Sequence, residues 1–214
     1  MKTLKFEQRT PEWYAARLGI PTASSFSKII TSSGKKSTQW SGYLHELVAE
    51  RITGRMVEFP STPAMEEGTR REDESRLVYQ MEKESPVTQV GFCVEDGGRW
   101  GCSPDGLVGD DGLVEFKNPS DKVAVEYLLD GKLPTKYFIQ VQGQIFVAER
   151  DWCDFVSYDP GLPMLIVPVK RDDEFISKLE PALIKFNAEL EAAVKKIMGM
   201  GPVYIGERGS VEED

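Results

Sequence analysis

The chain has 214 residues, 40% of them hydrophobic, with 26 Lys and Arg against 35 Asp and Glu and a formal net charge of −9. That composition excludes a disordered chain, the length supports one well-packed domain and is marginal for two, and no apolar run is long enough to cross a bilayer. The first residues lack the apolar stretch of a signal peptide, so a cytoplasmic protein is expected. Cys93, Cys102 and Cys153 are odd in number and form no CxxC pair, which reads as buried thiols in a reducing compartment. A single histidine, His45, cannot by itself build a zinc site or a catalytic pair. The charge is uneven: residues 1–58 carry nine Lys and Arg against five Asp and Glu, and residues 59–214 carry seventeen against thirty. A basic N-terminal third can face a polyanion while the rest stays acidic and solvated, although an ordinary uneven surface has the same look.

Thr10-Pro11-Glu12 predicts a helix to about Leu18, with Thr as cap, Pro at the first position and an acid in the first turn; Gly19 ends it. A second helix is expected from Thr22 to about Ile30, then a polar loop, Ser32 to Ser37. Gln39 to Ile52 reads as a third helix stopped by Gly54, and Pro63 to about Glu82 as a long one with Met65, Leu77, Val78 and Met81 facing inward. The chain then becomes strand-like: Val87 to Val94, Trp100 to Cys102, Gly106 to Val108 and Leu113 to Lys117 suit short strands of a meander. Helices follow at Ala124 to Leu129 and Tyr137 to Glu149, strands at Asp154 to Ser157 and Met164 to Val169, and a long amphipathic helix at Asp172 to Met198 that Pro181 can kink. The order predicts an α/β sandwich around a mixed sheet. The expected organisation is a single domain over 1–214: a helical part to about 84, a core over about 85–198, and a flexible acidic tail over about 199–214.

The most informative stretch is Ser103-Pro104-Asp105-Gly106, followed by Glu115-Phe116-Lys117. Glu115 and Lys117 are two apart, so on a strand they project from one face. Gly109-Asp110-Asp111-Gly112 has the composition of a hairpin turn, which would bring Asp105 back beside Glu115. Two carboxylates and an ammonium at one point are costly unless a divalent cation balances them, and oxygen ligands suit Mg²⁺ or Mn²⁺ rather than zinc. With Glu72 the residues complete the pattern E…D…ExK. In phosphodiester cleavage such carboxylates hold one or two metals, which polarise phosphoryl oxygens and activate a bound water. Lys117 can position or deprotonate that water, or stabilise the pentacovalent state. On spacing alone, a solvated strand edge explains the pattern equally well. Ser103 adds a hydroxyl for a phosphate oxygen. Gln140, Gln142 and Gln144 lie on a helix otherwise rich in Ile, Val and Phe, with Gln140 and Gln144 sharing a face.

These residues carry a resemblance. Trp13 to Gly19, Thr22-Ala23-Ser24, Gly68 to Glu72, Cys102 to Gly106, Leu113 to Lys117, Gln140-Val141-Gln142 and Tyr158-Asp159-Pro160 occur in the order found in the phage lambda exonuclease group, the YqaJ-type viral recombinase exonucleases of the PD-(D/E)xK superfamily. The resemblance implies a restriction-endonuclease-like core, a central mixed β-sheet flanked by helices. It implies an alkaline, Mg²⁺-dependent exonuclease, with Mn²⁺ able to substitute. Such an enzyme degrades one strand of duplex DNA from its 5′ end, releases 5′-mononucleotides, and leaves a 3′ single-stranded tail for an annealing protein.

The family's metal ligands fall on Glu72, Asp105, Glu115 and the backbone carbonyl of Phe116, and its lysine on Lys117. Its pocket for the terminal 5′-phosphate falls on Arg17, Ser24, Ser103 and Gln140, which suits an arginine fork and hydroxyls. Family members form trimeric rings around DNA, so only the channel need be basic. Lys35 and Lys36 are candidate backbone contacts. Met65 aligns with an apolar wedge at the end of the duplex, plain core being the other reading. One departure is Ser32, near the position of an arginine in the best-known member, which leaves that contact to Lys35 or Lys36. Other readings are an endonuclease of the same fold, which has no use for a terminal phosphate, and an inactive DNA-binding protein, against which the intact Glu72, Asp105, Glu115 and Lys117 speak.

Overall fold

The computed structural model describes residues 1–56 and 70–201. Two sheets organise them. Strands β1 (Lys2–Leu4), β3 (Phe92–Val94) and β4 (Gly101–Cys102) form a small antiparallel sheet in the order β1-β3-β4. Strands β2 (Val87–Thr88), β5 (Gly106–Val108), β6 (Gly112–Lys117), β7 (Trp152–Ser157) and β8 (Leu165–Lys170) form the central sheet in that order. Its pairs are antiparallel except β6 with β7, which run parallel, so the sheet is mixed, as expected.

The helices are α1 (Pro11–Arg17), α2 (Trp40–Thr53), α3 (Glu72–Lys83), α4 (Asp121–Asp130), α5 (Thr135–Val147) and α6 (Asp173–Met198). A 3-10 helix, Ala23–Lys28, stands where an α-helix is predicted. Thr10 caps α1 through its side chain, which accepts from the Trp13 N–H, and Asp172 caps α6 in the same way toward Phe175. Helix α6 runs through Pro181 without ending. The three cysteines are buried and free.

The central sheet separates two apolar layers, and the alternation along β6 shows how. Leu113 packs with Phe155 and Cys153 into the larger core, shared with α2, α5, α6 and the 3-10 helix. Val114 and Phe116 point the other way, to Val156 and to Tyr79 of α3. The odd-numbered residues of β6, Glu115 and Lys117 included, therefore face α5, and the even-numbered ones face α3.

Several expectations are corrected. Val87 to Val94 is two strands in different sheets. The chain crosses over at Val90-Gly91, where a Cβ on Gly91 would meet Phe6 atoms at 2.4 Å. Strand β1 goes unpredicted because its partner is some ninety residues away. Glu72 is the first residue of α3 rather than an interior one, with Arg71 as its N-cap; the part of the predicted helix from Pro63 to Thr69, Met65 included, lies outside the described residues. Leu77 and Met81 are not inward: they are 58% and 72% exposed, and α3 buries Ser75 and Tyr79 instead.

Helix α5 approaches the 3-10 helix closely because residue 143 is glycine. A Cβ there would lie 2.7 Å from Cδ2 of the fully buried Phe26 and 3.2 Å from Cβ of Ala23. Gly143→Val is expected to destabilise the protein by about 1–3 kcal/mol through overpacking, read as a lower midpoint in urea unfolding. An unchanged midpoint would show that the contact has room to relax.

Candidate active site

Hairpin pairing of β5 with β6 sets Gly106 opposite Val114, which carries Asp105 to the level of Glu115. Gly109, with φ +57°, makes the turn between them. The Asp105 carboxylate accepts the backbone N–H of Phe116 at 2.7 Å. Glu115 is 2% exposed, and its Oε1 accepts from Lys117 Nζ and from Gln140 Nε2, each at 2.5 Å. Its Oε2 accepts from Gln144 Nε2 at 2.6 Å. Glu115 and Lys117 thus share a face, as their spacing predicts.

Glu72, at the start of α3, lines a cleft together with Asp105. The cleft measures about 400 Å³ and is lined by Phe6 to Arg9, Glu72, Asp73, Gln89, Val90 and Asp105. Glu72 Oε2 accepts from the Arg9 guanidinium at 2.6 Å. Helix α3 and its N-cap are fixed over the sheet by four polar contacts. Tyr79 and Lys83 both reach the buried Asp154 of β7, at 2.9 and 3.0 Å. Tyr158 donates to Glu74 at 2.7 Å, and Arg71 pairs with Asp159 at 3.0 Å. The Tyr158-Asp159-Pro160 segment therefore grips the N-terminal end of the helix that presents Glu72.

The electrostatics follow from this crowding. Burial, with Glu115 and Glu72 nearby, pushes the Asp105 carboxyl well above its ordinary range, against the opposing pull of Lys117 and the Phe116 N–H. Burial alone would lower the Lys117 ammonium, but Glu115 and Asp105 outweigh it and hold the group above its usual value. Lys117 also stands 5.0 Å from the centre of the Tyr137 ring. Among the described residues no three His, Cys, Asp or Glu side chains close around one point. Arg9 draws Glu72 aside, while Lys117 and two amides hold Glu115. The donors are all carboxylate oxygens with surplus negative charge, a set that fits a hard divalent cation and not a soft one.

Next to this centre lies Arg17. Its guanidinium donates to Ser103 Oγ at 3.0 Å and stacks over the Trp13 ring at 4.1 Å. Trp13 Nε1 donates to the same hydroxyl at 2.9 Å. Arg17 Nε is buried without a hydrogen-bond partner, and burial lowers the pKa of the group. A half-paired buried arginine beside a hydroxyl is a site for an anion.

A model of the YqaJ-like viral recombinase domain matches residues 12–151. The chain belongs to the YqaJ-like viral recombinase family. An alkaline exonuclease from Laribacter hongkongensis, LHK-Exo, superposes with a TM-score of 0.80 at 38% identity, covering 88% of this chain and 96% of that one. LHK-Exo in complex with dAMP superposes with a TM-score of 0.79 at the same identity. A phage related exonuclease from Haemophilus somnus shares the fold, with a TM-score of 0.62 at 16% identity, covering 83% of this chain and 96% of that one. An uncharacterized protein of Acanthamoeba polyphaga mimivirus is 29% identical over 73% of this chain, and the match spans 30% of that protein's length. The family member described here is accordingly an enzyme of the nuclease class, on a PD-(D/E)xK fold.

The structure lines one cleft with Glu72 and Asp105, sets the paired Glu115 and Lys117 within electrostatic reach of Asp105, and joins Arg17 to Ser103. It does not link Ser24 or Gln140 to that pair directly: the exposed Ser24 hydroxyl shares a hydrogen bond with Thr22, and Gln140 points to Glu115. Lys35 and Lys36 lie on an exposed loop, with Lys36 over Trp40 at 4.2 Å. Sequence reasoning missed Gln8 and Arg9. Gln8 Nε2 bonds the carbonyls of Val90 and Pro104, each at 2.9 Å, and Arg9 adopts φ +68° to meet Glu72. Their only sequence signal is adjacency to the Thr10 cap.

Asp105→Ala is expected to abolish nuclease cleavage while leaving DNA binding within a few-fold of wild type, measured by gel shift and by release of labelled nucleotide. Turnover near the wild-type rate would remove Asp105 from the machinery.

Proposed function

We propose that the protein is a Mg²⁺-dependent 5′-to-3′ exonuclease acting on the ends of linear double-stranded DNA, with Mn²⁺ able to substitute. It releases 5′-mononucleotides and leaves a 3′ overhang for a single-strand annealing protein in phage-type recombination, in the cytoplasm of a bacterial host. The observation that carries this reading is the Arg17–Ser103 contact two residues from Asp105: an anion site one short step from the carboxylates suits an enzyme that holds a terminal phosphate while cutting the next bond. Family membership and the 38% identity to LHK-Exo support it.

Glu72, Asp105, Glu115 and the Phe116 carbonyl would hold one or two divalent ions. When bound, such ions polarise the scissile phosphate and activate water. The chain's own groups do the rest. Arg17 and Ser103 bind the terminal phosphate, with Ser24 and Gln140 completing the pocket once a ligand draws them in. Lys117 places a fixed positive charge beside the reacting phosphoryl group, where preorganised charge lowers the barrier most. Lys35 and Lys36 contact the DNA backbone, and Met65 separates the strands.

A homotrimeric ring fits the surface: Leu77 and Met81 on α3, and Val125 and Leu129 on α4, are apolar pairs one turn apart and exposed, with Leu129 at 84%. One nuclease domain per chain, over 1–214, completes the proposal.

Linear duplex DNA labelled at its 5′ or 3′ end, with and without a 5′-phosphate, is to be digested in Mg²⁺ and in EDTA. The expected result is Mg²⁺-dependent release of 5′-mononucleotides, faster from phosphorylated ends. Internal cuts would move the protein to an endonuclease, and no cutting to a DNA-binding protein. In the same assay Arg17→Ala is expected to lose the preference for phosphorylated ends; an unchanged ratio of the two rates would separate Arg17 from end recognition.

A further inference from the structure

A glutamine inside an apolar core is costly, because each polar atom of its amide needs a partner. Gln144 is 1% exposed on α5, and its neighbours Val141 and Ile145 are wholly buried apolar residues. Its Nε2 donates to Glu115 Oε2 at 2.6 Å, while its Oε1 is buried with no hydrogen-bond partner. Leucine would fill much the same space without the orphaned oxygen. What the amide adds is a hold on Glu115.

The geometry of that hold is specific. Gln140 and Gln144 are one helical turn apart, so their amides reach the same carboxylate from one face. Gln140 takes Oε1, which Lys117 also takes, and Gln144 takes Oε2. A carboxylate fixed at one oxygen can still rotate about its terminal torsion, where the preference is broad. One fixed at both oxygens cannot. Oε1 is engaged by Lys117 and Gln140, whereas Oε2 keeps acceptor capacity beyond its one amide bond, and that remainder is presented in one direction. Gln140 is only half-buried and can exchange Glu115 for an incoming phosphate. Gln144 is enclosed and cannot.

We propose that Gln144 is a positioning residue of the active site, fixing the plane of the Glu115 carboxylate so that it presents its free lone pairs to a divalent cation. This rests on the reading of Glu115 as a metal ligand given under Proposed function. Gln142, between them, faces away and serves the fold: it donates to the Lys170 carbonyl at 2.8 Å and accepts the Asp172 N–H at 2.9 Å.

The test compares wild type, Gln144→Leu and Gln144→Met. Mn²⁺ binding is measured by calorimetry without DNA, unfolding by thermal melts without metal, and cleavage rate against metal concentration. Both variants are expected to fold and to melt somewhat below wild type, because the buried Glu115 Oε2 loses its amide donor even as the orphaned oxygen is removed. They are expected to bind Mn²⁺ about 10–100-fold more weakly, the usual cost of losing a group that orients a ligand. Cleavage should recover as metal is raised, with KM for DNA unchanged.

Mn²⁺ binding within about twofold of wild type in a folded variant is well outside that range and overturns the proposal. So does failure of both variants to fold, which would make Gln144 a structural residue only. The two readings fail separately. A wild type that binds Mn²⁺ but cuts no DNA sinks the exonuclease, while weaker binding in the variants still upholds Gln144. A wild type that cuts DNA with variants of unchanged affinity sinks Gln144 alone.

Discussion

Carboxylates repel one another most strongly where water is scarce, and Glu72, Asp105 and Glu115 stand within electrostatic reach of one another where the central sheet, α3 and α5 leave little of it. Much of the surrounding structure answers that repulsion. Lys117 returns to Glu115 from its own strand, the Phe116 N–H turns to Asp105, and two amides from α5 face the buried Glu115. Arg9 enters from the N-terminal segment in a backbone conformation unfavourable for a residue with a side chain. Such an outlier points to a function when the surroundings fix it in place, and the two bonds of Gln8 do so here.

Strand β6 is where folding and chemistry share residues. Its even positions, Val114 and Phe116, build the layer under α3; its odd positions carry Leu113 into the main core and Glu115 and Lys117 into the site. A slip of one residue against β5 would exchange the two sets, exposing apolar side chains and burying charge in the wrong layer. The apolar alternation thus protects the register on which the site depends, and a mutation that weakens the layer under α3 would also loosen the site.

What could be read from the sequence was what depends on short range. Period-two alternation put Glu115 and Lys117 on one face, turn composition brought Asp105 back to them, and helical spacing paired Gln140 with Gln144. What could not be read depends on distant partners. Strand β1 is stable only against β3, and Val87 to Val94 divides because its two halves find different sheets. Leu77 and Met81 fit an inward helical stripe, yet Tyr79 takes the buried position because Asp154 of β7 offers its hydroxyl an acceptor. Arg9 has no periodic signature, since a loop side chain is placed by where the loop is anchored. The phosphate pocket shows the same division: Arg17 and Ser103 meet within the folded chain, whereas Ser24 and Gln140 have other partners.

Strand β7 carries none of the candidate ligands, yet it sets the distance between them. On one edge it pairs along its full length with β6, which bears Glu115. On one face Asp154 holds Tyr79 and Lys83, and just past its end Tyr158 and Asp159 hold Glu74 and Arg71 around Glu72. Both sides of the cleft are thereby referred to a single rigid bar. A tilt of α3 or a shear of the sheet therefore shifts Glu72 and Glu115 together, and the Gln8-Arg9 segment, tied to Val90, Pro104 and Glu72, follows them. An enzyme whose carboxylates must keep one spacing gains from that coupling: the gauge stays set while the fold around it flexes.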